Sequence, residues 1–177
     1  MLLPHGGGDR PRVEYLLRSL DIARSEGLEV WVVSALGMLG SGLGEMVELE
    51  LSERFLRECI AFSEAHEVTP SYSQAWLALV QVYRGRWDEG ARMATALLAR
   101  APDPISRISA LIALGRLRAR RGDPGAFDVL DEALASARPG GHLQRLWHVH
   151  AARAEAARLA GDEERAVEEA AAAYPLA

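Results

Sequence analysis

Residues Leu114-Gly-Arg-Leu-Arg-Ala-Arg-Arg-Gly-Asp-Pro-Gly-Ala126 join two helical segments through a glycine-rich turn. Gly122 is typical of the residue just past a helix end, and a proline close behind it prevents the helix from continuing. Related turns occur at Gly85-Arg-Trp-Asp-Glu-Gly-Ala91 and at Gly161-Asp-Glu-Glu-Arg-Ala166. Because the turn recurs at a spacing of roughly 35 to 40 residues, the sequence predicts a series of helix pairs.

Small residues mark the helix before each turn. Gly115 stands seven positions before Gly122, and Ala154 stands seven positions before the glycine of the last turn. Gly37 stands in the same relation to Gly44, which predicts an earlier turn at that glycine. Glycine and alanine let two helix backbones approach closely, so these positions are predicted to be the crossing points within the pairs.

The composition favours helices throughout the chain. Alanine and leucine, the most abundant residues, are strong helix formers, whereas the β-branched residues typical of strands are few. Glycine and proline divide the chain into about nine predicted helices. These cover 11–27, 28–43, 51–67, 71–84, 87–100, 104–121, 124–136, 143–160 and 162–173.

Three helix starts carry capping signals. Asp103 followed by Pro104 predicts an N-cap and a first helical residue whose missing N–H costs nothing. The segment Gly122-Asp-Pro124 repeats this arrangement and predicts the same start for the next helix. Ser71 and Gln74 have the spacing of a capping box, in which each side chain binds a free backbone N–H.

The recurring pairs resemble the tetratricopeptide repeat (TPR), a helix–turn–helix unit with small residues at the helix crossings. The resemblance rests on the turns at Gly85, Gly122 and Gly161. It implies an all-α fold, a TPR-like α-α superhelix or solenoid, in which about four helix pairs follow a single first helix. Residues 1–177 would then form one repeat domain with a concave groove on its inner face.

A second resemblance lies in the later half of the chain. The segments 114–126, 130–134, 143–146 and 151–156 are similar to the helical-repeat region of large actinobacterial-type regulators. Those proteins combine a STAND-type ATPase with the repeats, and often with a LuxR-type DNA-binding domain or a nucleotide cyclase domain. The resemblance implies that this chain is the middle segment of a larger regulator, whose repeats sense an inducer or a partner.

Charge and cysteine content exclude several functions. All 20 Lys+Arg residues are arginines, so neither a lysine Schiff base nor a Walker-type lysine can form. The single cysteine, Cys59, allows no internal disulfide and no thiolate metal cage. The net charge of −5 gives no electrostatic attraction to nucleic acid, so nucleic acid is not expected as a direct partner.

Targeting signals and catalytic motifs are not evident in the sequence. No run of 18 apolar residues occurs, and the stretch 1–11 lacks the apolar core of a signal peptide, so a cytoplasmic protein without a membrane span is expected. His148 and His150 lie about 200° apart on a helix and cannot share a metal ion. We therefore expect no enzymatic activity, no metal and no cofactor.

The repeat register predicts which residues line the concave groove. The first helices of the pairs would turn one face toward it, with Ser34, Met38, Ser109 and Ile112 among the lining residues. The predicted binding residues are Trp31, Gln81, Arg84, Arg116, Arg120, His148, Glu155 and Arg158.

Two interpretations of Arg116 and Arg120 stay open at this point. Both guanidinium groups could be paired within the chain or exposed to solvent, as most surface arginines are. Alternatively, they could contact an anion or an acidic partner, because guanidinium groups bind carboxylates in a bidentate manner.

The sequence thus predicts a non-catalytic protein-interaction or sensor scaffold of a bacterial transcriptional or signalling regulator. Its partner would be another protein or the neighbouring domains of the same chain. The alternative is a receptor domain that encloses a small-molecule inducer beside Trp31 or Trp147. Apolar surface exposed on a terminal helix would also favour a homodimer.

Overall fold

The computed structural model describes residues 10–100, 102–139 and 143–176. Over these residues the chain is helical and contains no strand, which confirms the predicted all-α class. The helices are α1 (Arg10–Ser25), α2 (Glu29–Glu45), α3 (Leu49–Ala65), α4 (Ser71–Tyr83), α5 (Trp87–Ala99), α6 (Pro104–Arg121), α7 (Ala126–Ala137), α8 (Leu143–Leu159) and α9 (Glu163–Ala173), followed by a 3-10 turn at Tyr174–Leu176. None of the described helices is long and apolar enough to cross a membrane.

The helices stack as successive pairs joined by short connections. α2 packs on α3, α4 on α5, α6 on α7 and α8 on α9, and α1 packs on α2. The first helices of successive pairs also touch, since α4 contacts both α2 and α6, and α6 contacts α8. Within the described ranges, helices more than two places apart along the chain do not have their backbones in contact. The fold is therefore a row of helix pairs held by near neighbours.

Two hydrophobic clusters fill the space between the helices. The first lies between α1, α2 and α3 and includes Leu36, Leu39 and Phe55. The second extends from α4 through α6 to α8, with Trp76 almost fully buried at its edge. Every residue of the stretch 75–82 is buried, so α4 lies in the centre of the molecule.

The close helix crossings occur where the backbone carries no side chain. A Cβ placed on Gly115 would lie 2.4 Å from Cδ2 of Leu130, and a Cβ on Gly40 would lie 2.5 Å from Cδ2 of Leu56. Gly115 therefore permits the predicted approach of α6 and α7. In α2 the same role belongs to Gly40, since a Cβ on Gly37 would meet its nearest neighbour only at 3.4 Å.

The first pair turns at a residue that the sequence did not single out. α2 continues through Gly42 and Gly44 to Glu45, so the predicted helix end at 43 is wrong. The turn residue is Val47, whose φ of 62° lies in the left-handed region that Gly85 (77°) and Gly122 (72°) occupy in later pairs. Gly40 precedes Val47 by seven positions, and this restores the spacing seen in the other pairs.

The capping predictions have mixed outcomes. Asp103 accepts a hydrogen bond from the backbone N–H of Ser106 at 3.0 Å, and Pro104 is the first residue of α6, as predicted. α7 instead begins after Gly125, and no side chain among the described residues caps it, so the start predicted at 124 is wrong. α4 begins at Ser71 itself without a side-chain cap from the described residues, so the predicted capping box does not form.

Candidate functional site

A groove of about 870 Å³ runs along α2 and is the candidate functional site. The first turns of α4 and α8 form its far wall, and α1 contributes to its near wall. Its apolar floor includes Val33, Leu39 and Leu43 of α2 together with Val13 and Leu16 of α1. These floor residues belong to the hydrophobic cluster of the first three helices or pack against it, so the groove rests on a packed base.

One face of α2 is turned toward the groove. Ser34, Met38 and Glu45 follow helical spacing along this face and line the groove. Met38 is 53 % exposed, which is high for a large apolar side chain. Trp31 lies two turns before Met38 on the same face and is 65 % exposed, outside the lining that the described residues form. Trp31, Ser34 and Met38, which the sequence predicted to line the groove, therefore share this face.

Tyr72 and Arg145 form the far wall. The guanidinium of Arg145 lies 5.4 Å from the centroid of the Tyr72 ring, and its Nη2 donates a hydrogen bond of 3.4 Å to the Tyr72 hydroxyl. This contact joins the first turns of α4 and α8, which are separated by 73 positions in sequence. The wall consequently depends on how the intervening pairs curve.

His148 contacts the lining residue Glu45 near the end of α2. Its ring is stacked on Trp147 with centroids 3.7 Å apart and lies edge-on to Trp76 at 5.5 Å. Its Nε2 lies 3.3 Å from Oε1 of Glu45, so α8 reaches across to α2 at this point. His148 is 6 % exposed. It therefore belongs to the buried part of the inner face, the side of the row on which α2, α4, α6 and α8 contact one another, more than to the open groove.

Beyond this end, the inner face is filled by an ionic cluster. Glu155 of α8 accepts a hydrogen bond of 2.6 Å from Nε of Arg120 and another from Arg116. Both guanidinium groups also lie over the ring of Tyr83, at 5.4 Å and 5.3 Å from its centroid. Burial raises the pKa of Tyr83, and the positive charge of Arg116 opposes this effect. Of the two interpretations left open, the structure shows pairing within the chain.

The eight predicted binding residues do not form one surface. Gln81 is fully buried on the opposite side of α4 from Tyr72, where its Nε2 donates to Glu53 of α3 at 3.0 Å. Arg84 also faces α3, with Nε 3.3 Å from Glu53. Arg158 is exposed on α8. The structure brings together Arg116, Arg120 and Glu155, and it brings Gln81 and Arg84 together at Glu53. Trp31 lies near the start of α2, whereas His148 contacts Glu45 near the end of that helix.

Sequence reasoning missed Arg12, Tyr72 and Arg145, which line the groove. A usable signal existed on α4, because Tyr72, Trp76 and Tyr83 stand at i, i+4 and i+11 and therefore share one helix face. That aromatic stripe marks the inner face of α4. The positions of Arg12 and Arg145 follow from packing between distant helices and carry no such local signal.

The described lining of the groove combines apolar, thioether and guanidinium side chains. Within the described ranges, no three His, Cys, Asp or Glu side chains are placed to hold a metal ion. Cys59 is buried, it accepts a hydrogen bond of 3.0 Å from the Ser73 hydroxyl, and burial raises the pKa of its thiol. The groove combines an apolar floor, the thioether of Met38 and two guanidinium groups, which are features of a recognition surface.

Comparisons with known proteins leave the family of the chain open. No protein-family model matches it, and neither a curated protein nor a solved structure matches it significantly. The functional argument therefore rests on the groove and on the helices that build it.

Proposed function

We propose that this chain is a non-catalytic, TPR-like interaction module that binds a segment of a partner protein, or of a neighbouring domain, in the groove along α2. The observation that carries the proposal is the groove itself, which lies between stacked helix pairs and is lined by α1, α2, α4 and α8. Stacked helix pairs generally use such concave surfaces for recognition, because their inner face is extended and already formed before binding.

The shape of the groove supports a chain-like occupant. Its lining along α2 extends from Ser34 to Glu45, which corresponds to about 16 Å of helix length. A peptide segment fills a trench of this length by placing several successive side chains in it. The flexible side chain of Met38 can adapt to different partners.

The proposal extends to the larger protein in which such a module works. The resemblance of the segments 114–126, 130–134, 143–146 and 151–156 to the repeats of bacterial regulators supports a role beside a STAND-type ATPase, with a LuxR-type or cyclase output domain. The reading frame around the gene tests this part. An ATPase motif upstream and a helix-turn-helix downstream would support the regulator, and an unrelated catalytic domain on either side would contradict it.

The groove is tested by selecting peptides from a random display library against the full chain. The substitution Gly42→Phe provides a block, because Gly42 lines the groove and no described atom beyond its own helical surroundings lies within 4 Å of a Cβ placed there. We expect selected peptides to bind the natural chain and the Gly42→Ala variant, and to lose binding to Gly42→Phe. Failure to select any peptide, or equal binding to all three proteins, would contradict the proposal.

A second candidate, a receptor for a small-molecule inducer, is favoured by the aromatic side chains in the same groove. Trp147 and Tyr72 both line it, and its volume lies within the roughly 300 to 1,000 Å³ of small-molecule sites. A thermal-shift screen with a metabolite library separates the two functions, since a bound ligand raises the melting temperature. A metabolite whose stabilising effect is abolished by Gly42→Phe would favour the receptor over the peptide module.

A further inference from the structure

We infer that the groove along α2 recognises an acidic segment, in which carboxylate side chains alternate with apolar ones. This inference rests on the proposed function and specifies the chemistry of its partner. It is carried by an excess of positive charge around an apolar floor.

The first part of that charge comes from Arg12 and Arg145. Both line the groove, and neither has a carboxylate partner among the residues that the structure describes. Arg145 is held in place by Tyr72 through one hydrogen bond and a ring contact, which leaves most of its five donors available. Further along the inner face, Arg116 and Arg120 have Glu155 as a partner. Among the described residues, Arg116 and Arg120 therefore have a carboxylate partner, whereas Arg12 and Arg145 at the open groove do not.

The second part comes from the N-terminus of α4. This helix has 13 residues and begins at Ser71 without a side-chain cap from the described part of the chain. Thr69, Pro70 and Tyr72, which flank this start, line the groove. The uncapped end of a helix carries partial positive charge and free N–H donors, so it adds to the attraction for a carboxylate.

The groove contains little negative charge to offset these groups. Glu45 is the one carboxylate among the described lining residues, and its Oε1 lies 3.3 Å from Nε2 of His148. The remaining lining is neutral or apolar, with Met38 exposed above the floor. An occupant that combines carboxylates with apolar side chains complements both parts of this surface.

The experiment uses the peptides selected from the random library on the full chain. We expect the selected sequences to be enriched in Asp and Glu beside apolar residues. In fluorescence anisotropy, Arg12→Gln and Arg145→Gln should each raise the Kd of a selected peptide about tenfold, as expected for one lost charge-assisted hydrogen bond. Arg18→Gln, an exposed arginine on α1 outside the described groove lining, is the matched control and should leave the Kd unchanged.

The failures of the two proposals have different signatures. The proposal of an acidic partner is contradicted if the selected peptides carry no acidic residues. It is also contradicted if they bind the Arg12→Gln/Arg145→Gln double variant as tightly as the natural chain. In both cases Gly42→Phe would still block binding. Selected peptides that bind Gly42→Phe as tightly as the natural chain contradict the proposal that the groove is the binding site. Circular dichroism of each variant identifies any loss of fold. If Arg145→Gln misfolds, the Kd of Arg12→Gln and the salt dependence of the Kd of the natural chain test the acidic partner. A complex driven by charge must weaken as the salt concentration rises.

Discussion

Nε of Arg120 lies 2.6 Å from Oε1 of Glu155, and this contact joins α6 to α8 across the inner face. Arg116 shares the same carboxylate and is 11 % exposed, so Glu155 compensates two guanidinium groups with little access to water. The pair of arginines that looked like a binding site for an external anion is therefore paired with a carboxylate of the same chain.

The first prediction is that Glu155→Gln lowers the free energy of unfolding by about 2–3 kcal/mol, because it leaves largely buried positive charge uncompensated. Urea unfolding followed by circular dichroism measures the effect. The control is Arg158→Gln, one turn further along α8 and exposed, which should change stability by less than about 0.5 kcal/mol. Equal effects of the two substitutions would contradict the role of the cluster.

The second prediction compares alanine at two helical glycines. Gly115→Ala would place a Cβ 2.4 Å from Leu130, and we expect a loss of about 1–3 kcal/mol from overpacking. At Gly42 no described atom outside its own stretch of helix lies within 4 Å of the added Cβ, so Gly42→Ala should stabilise the helix by about 0.5–1 kcal/mol. Thermal melts of both variants check the opposite signs, and a loss of stability at Gly42 would show that this position is packed.

The third prediction concerns acid pH and Glu53. Burial alone would raise the pKa of this carboxyl, but hydrogen bonds from Gln81 and Arg57, with the charges of Arg57 and Arg86, bring it below the ordinary 4.5. Below pH 4.5 the unfolded chain takes up a proton at Glu53 before the native chain does. The stabilisation from Glu53 is therefore present above pH 4.5 and is lost as pH falls through the lower native value.

The measurement is urea unfolding at a series of pH values for the natural chain and Glu53→Gln. We expect the stability difference between the two proteins to shrink as pH falls from 5 toward the acid limit of folding. Glu58→Gln is a useful comparison, because Glu58 lies on the same helix as Glu53 and is an exposed partner of Arg24 of α1. A difference that stays constant over this range would mean that Glu53 has no lowered pKa.

The fourth prediction is that Val47→Gly stabilises the protein. A β-branched residue in the left-handed region is strained, and relief of this strain should raise the free energy of unfolding by about 1 kcal/mol. Val47 is 73 % exposed, so the lost side chain removes little buried surface. Val30→Gly, at a similarly exposed position inside α2, should lower stability instead, and calorimetry that gives both changes the same sign would contradict the argument.

The fifth prediction is self-association through α1. Tyr15 and Ile22 share one face of this helix and are 71 % and 52 % exposed. We expect sedimentation equilibrium to show a dimer of the natural chain, weakened by Ile22→Glu because a charge would enter the apolar contact. A natural chain that remains a monomer at concentrations of tens of micromolar, on the order expected for weak association, would refute this prediction.

Helix positions could largely be predicted from the sequence, because glycine, proline and capping residues act locally. The exception at Val47 has a physical reason. Gly42 and Gly44 look like a helix end, yet α2 continues through both, and Gly44 packs against Ser52 of α3 and Trp76 of α4. The turn then falls on a valine, for which no local signal exists.

The residues of the site could be predicted from the sequence less completely than the positions of the helices. The repeat register correctly predicted Ser34 and Met38 as groove residues, whereas Gln81, predicted from the same register, is buried against Glu53 of α3. Arg145 and Tyr72 meet across 73 positions, through the summed tilt of the pairs between them. The tilt of each pair depends on side-chain packing at its interface, and no single sequence motif predicts it.

Among the described residues, side-chain contacts reach across the row of helix pairs from Glu45 and Trp76 to His148, and from Tyr72 to Arg145. A protein built from near-neighbour contacts can gain or lose a pair by duplication or deletion, because the remaining interfaces are unaffected. Here an added pair between α5 and α6 would separate α8 from α2 and α4. The contacts of His148 and Arg145 across the row, and the groove beside them, would then be lost. The groove, rather than the stacking, therefore limits how the number of pairs can change in evolution.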